Sequence, residues 1–350
     1  MYSNQIEIEE SVDQFSLFPG TRYMGSKNKI IYKMWETLRH LEFESFLDVF
    51  AGSNVVSYFI KAKGKEVITN DFMSISYYFA KAIVENSSTI LNDDELNLLL
   101  ETPSEKSFIS ETFRDLYFTE EENSFLDQVR ANIELIDNEY KKAIAISALV
   151  RACMKKRPRG IFTFIGQRYD DGRKDIRKTL RDHFIDNVQD FNNAVFDNGT
   201  VCQANNTLSQ DLNITADLVY LDPPYYSPKS DNDYVRRYHF VEGLAKNWEG
   251  LEIQNHTITK KFKSYPSPFS KRESAFDAFH SLIDRHKNSA IAISYSSNSI
   301  PTKEELTNIL KEYKSDVKVY EIDHTYSFGN QNHKTGNKSN RVKEYLFIGT

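Results

Sequence analysis

Asp222-Pro223-Pro224-Tyr225 puts a carboxylate, two imino acids and an aromatic ring directly after the apolar run Leu218-Val219-Tyr220-Leu221. Consecutive prolines fix φ and remove two backbone donors, so the turn is stiff and offers only acceptors. Such a corner suits an amine: the Asp222 carboxylate and the Pro223 carbonyl can both accept from one NH2 group while Tyr225 stacks on the ring that bears it. Accepting from both hydrogens draws the nitrogen toward tetrahedral geometry and frees a lone pair otherwise delocalised into a purine. The bland alternative is a rigid strand exit without chemistry.

A second group of candidates lies near the N-terminus. Asp48-Val49-Phe50-Ala51-Gly52-Ser53-Asn54 reads as a glycine-containing turn between a strand and a helix, where backbone can approach a ligand closely. It lacks the G-x-G-x-x-G spacing of nicotinamide enzymes. Asp71 falls 19 residues beyond Gly52, at the tip of the next strand, placed either to accept from ribose hydroxyls or to cap a helix. Upstream, Thr21 to Lys29 sets Tyr23, Gly25 and Lys27 before an amphipathic helix; a solvated basic entry loop would look the same.

These residues need a sheet to bring them together. The pattern predicts a strand at Phe46 to Phe50, a helix over Val55 to Lys63 and a strand at Glu66 to Thr69, a βαβ unit of the doubly wound kind. From about 85 to 199 helical signals dominate, as in Asp94 to Leu100, Glu121 to Asn138 and Glu139 to Met154. Strand patterns return at Asp217 to Leu221, Ala290 to Tyr295, Val317 to Ile322 and Val342 to Ile348. No crossover helix joins the last two, so they should pair antiparallel. The expectation is an α/β fold: a Rossmann-like, mostly parallel sheet with an antiparallel C-terminal hairpin, divided as 1–85 plus 200–350 around a helical insertion at 86–199.

The net charge of −6 excludes a uniformly basic nucleic-acid coat, yet 151–181 holds 11 Lys or Arg against 3 Asp or Glu, a local +8 that leaves −14 for the remainder. Lys155, Lys156, Arg157, Arg159 and Arg168 are interleaved there with Phe162, Phe164 and Tyr169, which suits phosphate neutralisation, although charge runs are often solvated helix faces. In the 323–341 loop, Tyr326 and Lys338 are candidates for holding an unstacked base, or the aromatics anchor a hairpin. The start of the chain lacks a secretory pattern and no apolar run spans a bilayer, so a cytoplasmic protein without membrane contact is expected. Cys153 and Cys202 suggest neither a disulfide framework nor a metal site.

Taken together these motifs resemble the Dam-type, or alpha-group, adenine-specific DNA methyltransferases, in the order found here, over about 18–85 and 201–350. The resemblance implies S-adenosylmethionine as methyl donor, held by Tyr23, Lys27, Asp48, Phe50, Gly52, Asp71, Asn206 and Asp222. Asp222, Pro223 and Tyr225 would serve a flipped-out adenine of double-stranded DNA, with direct in-line transfer and no covalent enzyme intermediate. The region between would recognise the target. A bacterial cytoplasmic monomer is implied, with a cognate restriction endonuclease acting separately. Asn54 replaces the second glycine of the nucleotide motif, and no acid stands at Cys202 to Asn206, where Asn205 or Asn206 must substitute. The rival readings are the same chemistry on cytosine, RNA adenine or protein glutamine, and a non-catalytic DNA-binding protein on a decayed fold.

Overall fold

The computed structural model describes residues 13–166, 174–224, 233–265, 267–325 and 341–350. Short apolar runs bounded by turns form the strands β1 (Ser45–Asp48), β2 (Glu66–Asn70), β3 (Gln203–Asn205), β4 (Leu218–Leu221), β5 (Ala290–Ser296), β6 (Val317–Thr325) and β7 (Arg341–Gly349). They make one seven-stranded sheet in the order β3-β2-β1-β4-β5-β7-β6. The first five are parallel, whereas β7 runs antiparallel between β5 and β6. Burial on both faces explains why β1, β4 and β5 read as continuous apolar runs rather than alternating ones.

Successive side chains still point to opposite faces. Phe46, Tyr220, Ala292 and Leu346 join one core, while Leu47, Val219, Ile291 and Phe347 join the other. In chain order the helices are α1 (Ile31–Leu38), α2 (Val55–Ala62), α3 (Ser74–Ala80), α4 (Asp93–Glu101), α5 (Phe108–Thr112), α6 (Glu120–Ile133), α7 (Glu139–Lys156), α8 (Lys174–Arg177), α9 (Leu180–Ala194), α10 (Tyr234–Ala245), α11 (Arg272–Arg285) and α12 (Lys303–Tyr313). Helices α11 and α12 cover the second face. The helices between β2 and β3 continue the first core without a break, so Leu126, Ile144 and Phe184 belong to the same cluster as Phe46.

Capping chemistry sets several boundaries. Asn92 with Glu95, Thr119 with Glu122 and Thr302 with Glu305 form capping boxes at the starts of α4, α6 and α12. The predicted helix over Glu121 to Asn138 stops at Ile133, because Asn138 instead accepts from the amides of Tyr140 and Lys141 as the cap of α7. Strand order reverses between β1 and β4, the switch point where open α/β sheets bind ligands. The carboxyl ends of β1, β2 and β4 there deliver the 48–54 turn, Asp71 and Asp222 to one edge. Among the described residues no helix is long and apolar enough to cross a membrane, and no cluster of three potential ligands suits a metal ion.

Candidate active site

A cleft of about 540 Å³, counting space open to solvent, lies over this edge. It is lined by Tyr23, Lys27, Asp48, Phe50, Gly52, Asp71 and Asp222 of the predicted set, together with Phe72, Tyr220, Pro224 and Tyr234. A recess of about 320 Å³ adjoins it, sharing Phe50, Phe72 and Pro224 and reaching Leu208 to Gln210 beyond β3.

The glycine turn is held from two sides. Gly52 has φ +50, and a Cβ there would stand 3.1 Å from the Tyr23 ring. Asp71 accepts from the Gly52 amide and from the Met73 amide, each at 2.8 Å, so its carboxylate fastens the turn and the entry to α3 simultaneously. Asn54 occupies the left-handed region at φ 60, which asparagine tolerates, and its amide donates to the Ser76 carbonyl at 2.8 Å. Tyr23 stacks on Tyr238 and Tyr234, with centroids 5.1 and 5.7 Å apart.

Carboxylates crowd the cleft. Burial pushes Asp48 up to about 7, and both Asp222 and Asp71 add to the push. Its Oδ2 accepts from Ser57 Oγ at 2.6 Å, and that bond together with the Phe50 backbone amide pulls the carboxyl partly back down. Asp71 is raised to about 6, again chiefly by burial. Asp222 also rises to about 6, from burial first; the Lys27 ammonium pulls it back and Glu344 pushes it up. Lys27 Nζ sits 3.0 Å from Asp222 Oδ1 and 2.9 Å from Glu344 Oε1, and Ser294 Oγ donates to the same Glu344 oxygen at 2.8 Å.

Sequence reasoning missed Glu344. Only 1% exposed, it is a lone acid among the inward positions of β7, and that misfit in the apolar stretch ending in Leu346-Phe347-Ile348 was the available signal. Tyr234 was missed as well, since only the fold brings α10 to the cleft.

Other predicted residues sit elsewhere. Pro223 is buried beneath the corner, and Tyr225 lies outside the described residues. Asn206 is exposed and donates to the Asp71 carbonyl at 2.7 Å, while the Asn205 amide donates to the Thr69 carbonyl; both fasten strand ends and neither lines the cleft. Arg168, Tyr326 and Lys338 also lie outside the described residues.

Arg157 requires a correction. Expected on a phosphate-binding surface, it is 1% exposed, and its guanidinium donates to the carbonyls of Phe164 at 2.7 Å and Gly166 at 2.8 Å. The rings of Tyr117, Phe162 and Phe164 surround it. The glycine and aromatics of this loop fold around the cation, which is why a count of charges misplaced it. Lys156 is half-buried, 2.9 Å from Glu122 and donating to the Lys178 carbonyl; Lys155, 4.0 Å from Asp190, and Arg159 are also half-buried.

Uncompensated carboxylate beside a glycine turn and aromatic walls suits a ligand that carries positive charge and a flat ring. With the strand order and the acceptor-only corner after β4, this defines an α/β methyltransferase that acts on an amine. Comparison with known proteins narrows the class. The chain belongs to the D12 class N6 adenine-specific DNA methyltransferases, whose family model matches residues 23–309. It is therefore an enzyme that draws on a methyl donor to methylate adenine in DNA.

Among its relatives is the type II methyltransferase M2.HphI of Haemophilus parahaemolyticus, 31% identical over 95% of this chain and 97% of the relative. The modification methylase StsI of Streptococcus sanguinis is 29% identical and the type II methyltransferase M.FokI of Planomicrobium okeanokoites 25% identical, each over 93% of this chain. The chain spans 51% and 52% of the length of those two.

Proposed function

We propose that the methyl donor is S-adenosylmethionine, bound along the edge from Lys27 to Asp71, and that the acceptor is an adenine flipped out of duplex DNA against the Asp222 corner. The observation that carries this reading is a cleft at the switch point lined by Asp48, Asp71 and Asp222, three carboxyls raised by burial, with Lys27 the one cation among the described lining residues, a setting that favours a cationic ligand. S-adenosylmethionine supplies a methyl carbon on positively charged sulfur. Asp48 and Asp71 hold the donor's charged and hydroxyl groups, Phe50 and Phe72 flank its ring, and Gly52 admits it to the backbone.

Lys27 fixes Asp222 Oδ1, leaving Oδ2 and the Pro223 carbonyl to accept the two N–H bonds of the adenine amine. With its lone pair freed, the nitrogen forms the bond to the methyl carbon as the sulfur–carbon bond breaks. The proton shed by the amine passes to Asp222. Tyr225 stacks on the base, and orientation with amine polarisation provides the acceleration. Residues 86–199 form the target-recognition region, in which Arg159 stays a candidate for the DNA backbone. Relatives named as type II methyltransferases support a place in a restriction-modification system beside a separate endonuclease; a bacterial enzyme acting as a monomer is the form proposed for it.

The test is direct. Duplex DNA treated with the protein and methyl-labelled S-adenosylmethionine is digested to nucleosides; label in N6-methyl-2′-deoxyadenosine supports the reading, and label in a deoxycytidine derivative overturns it. Calorimetry should show S-adenosylmethionine binding weakened at least about tenfold by Asp71→Ala, the loss expected when charge-assisted hydrogen bonds go.

A further inference from the structure

We propose that the hairpin 253–262 is a DNA-contacting element whose lysines bind the backbone beside the target and whose tip, Ile258, fills the gap the flipped base leaves. This deepens the DNA reading by naming a surface for it. The hairpin is built rather than loose. Ile253 and Phe262 pair across its base, and the Gln254 amide donates to the Lys261 carbonyl at 2.8 Å. Thr257 Oγ1 donates to the Gln254 carbonyl at 2.8 Å, and Lys260 Nζ reaches the Asn255 carbonyl at 2.9 Å.

Its position is fixed on both sides. The Tyr117 hydroxyl lies 2.6 Å from the Thr259 carbonyl and 3.0 Å from His239 Nε2, which in turn is 3.1 Å from the Phe162 carbonyl. The hairpin therefore shares a base with the loop that Arg157 organises. On the other side, Tyr265 packs on Phe72, a wall of the cleft, at 5.8 Å between centroids, and Ser264 bonds to Asp233 at the start of α10. The chain leaving the hairpin thus runs, through Ser264 and Tyr265, to the cleft wall at Phe72.

No acid within the hairpin offsets its charge, although the Asn255 carbonyl holds the Lys260 ammonium. Residues 253–263 contain Lys260, Lys261 and Lys263 and no acid, and among the described residues none of the three forms an ion pair. In 151–181, by contrast, Arg151 pairs with Asp190, Lys156 with Glu122, Lys178 with Asp186 and Arg181 with Glu101. Free cations displace counterions from DNA; paired ones largely do not. Ile258 is 73% exposed at the tip of this rigid, wholly basic turn. A single exposed isoleucine is commonplace. On a cation-flanked hairpin beside a base-flipping site it matches the apolar wedges that proteins insert where stacking is broken.

The experiment uses the full-length protein and a duplex site it methylates, with binding measured across a salt series. The Lys261→Gln/Lys263→Gln variant should lower the slope of log affinity against log salt by about 2, and adding Lys260→Gln by about 3. Single-turnover transfer by Ile258→Ala should fall roughly tenfold on the paired site and recover to within about twofold when the target adenine faces a mismatch, where unstacking is cheap. An unchanged slope overturns the proposal. So does Ile258→Ala transfer that is undiminished, or equally diminished on both duplexes; in each case wild-type DNA methylation stands.

Discussion

The carboxyl edge of the sheet and the 151–181 segment are both dense in charge, and they treat it in opposite ways. In the cleft Asp48, Asp71 and Asp222 face one another with Lys27 as the one cation among the described lining residues, and burial holds all three acids well above their ordinary range. Among the described residues of 151–181, which carries an excess of eight cations, Arg151, Lys156, Lys178 and Arg181 are met by acids from α4, α6 and α9, and Arg157 by carbonyls. Excess charge in a sequence window thus says little about the field at the surface. Charge that the fold leaves unmatched marks where a ligand is expected.

Breaking this contrast is easiest at Arg157. If it is an internal clamp, Arg157→Ala should cost about 3 kcal/mol of unfolding free energy in denaturant titration, because two carbonyls lose charge-assisted donors. A stable variant with a flatter salt slope would put it back on the DNA. Next comes Glu344→Gln. Removing the like charge that raises Asp222 should move the acid limb of the single-turnover pH profile to lower pH and slow transfer by about tenfold through a less firmly held Lys27. An unmoved limb would make Glu344 purely structural.

A smaller effect is expected at Asp48. Its carboxyl is raised from 3.8 to about 7 in the folded protein. A raised acid binds its proton more tightly folded than unfolded, so its stabilisation is fully present below the unfolded value and is lost as pH rises through about 7. Without ligand, the melting temperature of the wild type should therefore decline between pH 5 and 8 by about a few degrees more than that of Asp48→Asn, read by scanning calorimetry. The smallest effect is predicted for Lys155→Gln with Lys156→Gln: a change in the DNA salt slope of less than about 1, since neither ammonium lies free on the surface.

Much of the site was legible beforehand for a physical reason. Local backbone chemistry, meaning a glycine that must turn, two prolines that cannot donate and an acid at a strand tip, is written in consecutive residues, and those residues line the cleft at Gly52, Asp71, Asp222 and Pro224. The β1-α2-β2 unit and the antiparallel β6–β7 pair were readable from apolar runs and a missing crossover. What stayed hidden depends on pairing across distance. Glu344 reaches Lys27 only through the β5–β7 register, and Arg157 is buried only because the loop to Gly166 closes over it. Asn205 and Asn206 were assigned by motif position, yet their amides are engaged by the ends of β2.

Methyl transfer depends on Asp222 acting as acceptor for the adenine amine, and single-turnover transfer by Asp222→Asn measures that with the least interference. With folding confirmed and S-adenosylmethionine saturating, transfer should fall by about a thousandfold or more, the scale of losing a positioned electrostatic partner in a water-poor site. Transfer at the wild-type rate by that variant would contradict it.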